Sequence, residues 1–185
     1  NMISIDGDTS TNDSVILLAN GVAGGDPIGA GGPGEEIFIR ALGAVCTTLA
    51  KEIASDGEGA TKLIEVNVKG ALTESDARAA ARAVASSTLV KSAIHGGDPN
   101  RGRIIVALGY SGAALDESRV GLFINDICIM EGGRPIPYFK DAVVLAMSGS
   151  QINLGLELNI GDASATAWGC DLSEEYVTFN SHYTT

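Results

Sequence analysis

The chain has 185 residues, 45% of them hydrophobic, and a net charge of −11. That length is ample for a real core, the hydrophobic share excludes a disordered chain, and the acidity argues against nucleic acid as a partner. No apolar run reaches membrane-spanning length, and no signal-peptide pattern is visible.

Ser4–Asn20 reads as strand, turn, strand, with a polar elbow from Asp6 to Ser14 before the apolar run Val15–Ala19. Gly21–Gly34 holds seven glycines and two prolines in fourteen residues and is expected to be an irregular loop. Glu35–Ser55 carries Ile37, Ala41, Val45, Leu49 and Ile53 at helical spacing, with Glu35 and Glu36 suited to a helix start. Thr61–Lys69 alternates Ile64, Val66 and Val68 against Glu65, Asn67 and Lys69, the pattern of a strand buried on one face. Thr73 and Asp76 predict the start of an Ala-rich helix running to about Ile94.

Arg103–Gly109 reads as the next strand, and Val120–Met130 as a hairpin turning at Asn125-Asp126. Ile152–Ile160 alternates without a break, and Ala163–Cys170 is a candidate partner for it across Gly161-Asp162. Because that long strand is so apolar, it is expected to leave sheet surface in need of a partner. Ser173 with Glu174 and Glu175 opens a short last helix before the tail Thr178–Thr185. With no internal repeat or linker, residues 1–185 read as one domain of α+β class, not a doubly wound nucleotide-binding fold.

Cys46, Cys128 and Cys170 are too few and too scattered for a disulfide framework or a zinc site, so reduced thiols and a cytoplasmic location are expected. Cys46 falls on the apolar helical stripe and is expected in the core. His95 and His182 have no ligand-spaced partner, so no metal is expected. No complete catalytic motif is visible. Glu58, flanked by Gly57 and Gly59, is either a solvated loop carboxylate or one that holds an ammonium group. Asp98-Pro99-Asn100 with Arg101 and Arg103 reads better as a capped turn with an Asp98–Arg103 pair than as an anion site. The tail around Asn180 is rich in hydrogen-bonding groups, and fraying is its simplest reading.

Four motifs shift these odds: Asp6-Gly-Asp-Thr-Ser-Thr-Asn-Asp13, Glu58-Gly-Ala-Thr-Lys62, Ser87-Thr-Leu-Val-Lys91 with Gly97-Asp-Pro-Asn100, and Asp171-Leu-Ser173 ahead of Tyr183-Thr-Thr185. In this order and spacing they resemble the ornithine acetyltransferase family, the bifunctional glutamate N-acetyltransferases of arginine biosynthesis. The likeness spans the chain; one departure is Arg101, where the family commonly has Trp, a difference that bears on local packing.

The resemblance implies a layered α/β sandwich of the DmpA/ornithine acetyltransferase type, with a mixed sheet and two long helices. It implies a precursor that cleaves itself before a threonine, and this chain resembles the β chain with its first few tens of residues missing. The nucleophilic threonine and the oxyanion hole then lie outside the sequence, so no catalytic residue is expected within it. The partner is the α chain of the same precursor, in a heterotetramer of two α and two β chains.

The implied reaction is ping-pong transfer of acetyl from N-acetylornithine to glutamate through an acetyl-threonine, without a cofactor; some family members also accept acetyl-CoA as donor. Glu58, Asn180 and Thr185 match the family's substrate-binding positions, and the elbow Asp6–Asp13 is expected to support them from beneath. The alternatives are an N-terminal-nucleophile amidohydrolase or aminopeptidase, in which water replaces glutamate, and a non-catalytic interaction domain. The upstream coding sequence discriminates: an Ala-Thr-Met-Leu-like junction is expected for the transferase, and its absence favours the interaction domain.

Overall fold

The alternation over residues 61–69 becomes β2 (Leu63–Ala71), an interior strand whose Ile64, Val66 and Val68 are almost completely buried. A computed structural model describes residues 2–182, in which β2 belongs to a mixed sheet of seven strands. The others are β1 (Ile3–Ser4), β3 (Gly121–Ile124), β4 (Ile127–Glu131), β5 (Arg134–Pro135), β6 (Gln151–Glu157) and β7 (Ala163–Cys170), in the order β1-β7-β2-β6-β3-β4-β5. The β1–β7 and β2–β6 pairs are parallel and the rest antiparallel.

Helices cover both faces of the sheet. On one, α2 (Glu74–Ser86) lies across β2 and β7 through Ala77, Ala80, Ala81 and Val84, all fully buried. These small side chains let the helix approach the sheet closely. α3 (Thr88–His95), α4 (Arg101–Gly109) and α5 (Lys140–Ala146) add Ile94, Ile104, Leu108 and Val143 to the same core. On the opposite face Glu65 points away from α2. It meets Lys51 of α1 (Glu35–Ser55) at 2.7 Å and accepts the Trp168 indole N–H at 2.9 Å. The arrangement is the expected layered sandwich. No helix among the described residues is long and apolar enough to cross a membrane.

The hairpin at Asn125-Asp126 forms as expected, both residues taking positive φ (45° and 66°), which suits a two-residue turn between antiparallel strands. Several other expectations fail for identifiable reasons. Arg103–Gly109 is not a strand. Asn100 caps α4 by accepting the Arg103 N–H at 3.1 Å, and Ile104, Ala107 and Leu108 bury one helical face, so context overrides the β-branched run. The Ala-rich helix stops at Ser87, whose extended backbone ends α2 while its hydroxyl caps α3. Val15–Leu18 forms no strand and stands 65–97% exposed.

β7 does not pair with β6, because β2 lies between them. The connection crosses the end of β2, where the Ile160 and Gly161 N–H groups donate to the Gly70 carbonyl. β6 itself leaves no apolar surface open, since Ile152, Leu154, Leu156 and Leu158 are fully buried between β2 and β3. The uncovered apolar surface is elsewhere, on α1: Ile37, Val45, Leu49 and Ile53 are each more than half exposed, and Ala54 is the only buried residue of that helix. Cys46 is likewise exposed rather than in the core. Periodicity reveals an apolar stripe but not what covers it.

The strand register predicts a sharp contrast between neighbours on β6. Leu154→Ala is expected to cost about 2–5 kcal/mol in denaturant unfolding, as for a large-to-small change in a packed core. Asn153→Ala, on the half-buried polar side, is expected to cost less than about 1 kcal/mol.

Candidate functional site

Glu58 sits in a tight turn between α1 and β2, closed by the Ala60 N–H donating to the Gly57 carbonyl at 2.9 Å. Gly59 takes φ +68°, and a Cβ there would stand 2.7 Å from the Tyr176 nitrogen and 2.8 Å from the Ser173 hydroxyl. The glycine is therefore needed for close approach of this chain's own last helix, α6 (Glu174–His182), rather than of a ligand. Ser173 fixes that approach by donating its hydroxyl to the Gly59 carbonyl at 2.6 Å while accepting the Tyr176 N–H.

α6 carries Asn180 to Glu58. The Asn180 side-chain amide donates to Glu58 Oε2 at 2.7 Å and to the Tyr176 carbonyl one turn back at 3.0 Å. Two of the three expected substrate-binding positions, 122 residues apart, are thus adjacent; the third, Thr185, lies outside the described residues. The Tyr176 hydroxyl donates to Asp6 Oδ2 at 3.0 Å, which joins the elbow to the same helix. Burial, the bond to Asp6 and the nearby charges of Asp6, Asp8 and Glu58 together push the Tyr176 phenol above its ordinary pKa. A surface that resists a further negative charge in this way suits a cation, and an amide beside the carboxylate adds a donor for a substrate oxygen.

Beneath this surface lies a group the sequence reading passed over. The Asp171 side chain is fully buried and accepts the Thr61 N–H at 2.7 Å, the Lys62 N–H at 2.8 Å, the Thr61 hydroxyl, and His95 Nδ1 at 2.7 Å. Burial works to raise its pKa, but the bonds from Thr61, His95 and the two backbone N–H groups outweigh it and hold the carboxyl below its usual value. Lys91 is also buried; its ammonium donates to the Cys170 carbonyl, and burial depresses its pKa. Asp171, Lys91 and His95 stood in or near the quoted motifs, but nothing in their types or spacing announces that they meet.

Other candidates separate from the site. Asp98 Oδ2 accepts from the Asn100 amide, and Arg103 donates to the Leu89 carbonyl, so the expected Asp98–Arg103 pair does not form. The polar face of the sheet holds a cleft of about 510 Å³ lined by Glu65, Asn67, Lys69, Asn153 and Glu157, and Glu58 takes no part in it.

The model of the ArgJ family matches residues 1–185. The chain is 52% identical to the arginine biosynthesis bifunctional protein ArgJ of Symbiobacterium thermophilum and 44% identical to that of Geobacillus kaustophilus. It is covered completely by both but spans only 46% and 45% of them, about half the length of the curated relatives it matches. The crystal structure of the protein of the same name from Bacillus halodurans superimposes with a TM-score of 0.96 at 40% identity, over 98% of this chain and 86% of the solved one.

The buried carboxylate makes stability depend on pH in a defined direction. A folded-state pKa below the unfolded one stabilises above the ordinary aspartate range and loses that contribution as pH falls through the folded value. The denaturant midpoint is therefore expected to fall on acidification below that range. Asp171→Asn is expected to lower stability near neutral pH and flatten this acid limb; an unchanged acid limb in the variant would assign it to other carboxylates.

Proposed function

The chain belongs to the ArgJ family, and we propose that it forms the half of a longer arginine-biosynthesis protein that binds the substrate amino group, while a threonine outside it carries the acetyl group. The observation that carries this reading is the pairing of Glu58, in the turn between α1 and β2, with Asn180 in the last turn of α6. In the proposed cycle the threonine hydroxyl attacks the amide of N-acetylornithine, and ornithine leaves with the proton. Glutamate's amine then attacks the acetyl-threonine, regenerating the hydroxyl. The covalent intermediate divides one amide exchange into two steps, and backbone donors outside this chain stabilise each tetrahedral oxyanion. No cofactor is needed, because acetyl enters and leaves as an amide.

Within this scheme Glu58 accepts a hydrogen bond from the amine and orients its lone pair toward the acyl carbon. Asn180, with Thr185, holds the substrate's α-carboxylate without adding charge. The α chain of a self-cleaved precursor is the proposed partner, assembled as two α and two β chains in the cytoplasm. Two observations support a tightly held partner. The chain matches only half of its curated relatives yet most of a solved chain, and the exposed apolar stripe of α1 is of the kind that a folded protein covers.

The test is acetyl exchange between N-acetylornithine and glutamate by the complete protein. Glu58→Gln is expected to lower kcat/KM about 10- to 100-fold, the value of one charge-assisted hydrogen bond, with little change in stability because the side chain is exposed. Removal of Thr185 is expected to weaken binding of the acyl acceptor. Unchanged exchange in Glu58→Gln would return Glu58 to a solvated loop residue.

A further inference from the structure

Glu58 and Asn180 are carried by separate segments, the turn before β2 and the helix after β7, and both side chains are exposed. A single hydrogen bond between them at the surface competes with water and cannot by itself fix their separation. Their spacing must come from whatever joins the two segments below. Asp171 holds the first of them through the Thr61 and Lys62 N–H groups, immediately after Glu58-Gly59-Ala60. The same carboxylate accepts His95 Nδ1 at 2.7 Å, which fixes that nitrogen as a donor and turns the opposite ring edge outward. There His95 Nε2 stands 3.4 Å from Glu174 Oε2, on the first residue of α6, a contact that is an ion pair only when the ring is protonated.

The imidazole is itself anchored, because it ends α3. In that helix the Lys91 ammonium donates to the Cys170 carbonyl, the Lys91 backbone carbonyl accepts the Leu172 N–H, and the Lys62 ammonium donates to the Ile94 carbonyl at 3.0 Å. One helix end therefore grips both segments.

We propose that His95 is a positioning residue that sets the geometry of Glu58 against Asn180: its bond to Asp171 completes the bridge that this carboxylate makes between the β2 entry and the start of α6. This rests on the reading of Glu58 as the amino-group subsite. His95 is separable from the core that supports it, since its side chain is 29% exposed.

The experiment is steady-state acetyl exchange by the complete two-chain protein. His95→Ala is expected to raise KM for the acceptor amine about tenfold, roughly one hydrogen bond's worth of positioning, with kcat within about twofold. His95→Asn, whose amide nitrogen overlays Nδ1, is expected to restore most of the loss by re-forming the bond to Asp171. Because His95 acts through Glu58, the double variant with Glu58→Gln is expected to be no worse than Glu58→Gln alone.

An unchanged KM in His95→Ala overturns the inference. So does a loss that follows a fall in thermal stability, is not restored by asparagine and adds to that of Glu58→Gln. If Glu58→Gln impairs exchange and His95→Ala does not, only the bridging role falls; if Glu58→Gln has no effect, the subsite and the bridge fall together.

Discussion

One buried carboxylate organises this half of the molecule. Asp171 lies at the end of β7, where a charge without partners would be expelled to solvent or neutralised. It remains because four donors converge on it: two backbone N–H groups, the Thr61 hydroxyl and the His95 imidazole. The carboxylate thus couples the two residues that lead into β2, the end of α3 and the approach to α6, and the Glu58–Asn180 surface depends on that coupling. Breaking one bond to such a group leaves a buried charge less compensated, which is why the network tolerates no partial version of itself.

The sheet supplies the frame on which this network sits. Its helix-covered face is built from β-branched and leucine side chains on the strands against alanines on α2. Its other face is polar, with Lys51, Glu65 and Trp168 joined by an ion pair and a hydrogen bond. Among the described residues nothing covers Ile37, Val45, Leu49 and Ile53 of α1, each more than half exposed. The two sides of the sheet therefore differ: a large core lies on one, and an open apolar helix stripe on the other.

The alternating pattern of β2 and β6, the 3.6-residue period of α1, the capping pair Thr73–Asp76 and the Asn125-Asp126 turn were all legible, because each is a local signal of burial or backbone geometry. Arg103–Gly109 was misread because its β-branched residues outweigh, in a purely local view, the Asp98-Pro99-Asn100 cap that starts the helix. Proximity in sequence makes β7 a candidate hairpin partner of β6, whereas the parallel β2–β6 pairing inserts β2 between them. Glu58 stands out through its glycines, but Gly59 makes room for Tyr176 and Ser173, and Gly57 for Cys170 and Ile5, all of them this chain's own residues.

By itself the sequence determined the secondary structure wherever apolar period and capping agreed, the acidic character of the chain, and, through four motifs in register, its family. It could not show that Asn180 touches Glu58 across 122 residues, that Asp171 is buried, or that His95 faces it. Those are decisions of tertiary structure. Whether a carboxylate is solvated or sealed, and whether two polar side chains meet, depends on distances set by strand order and helix docking, which no local pattern encodes.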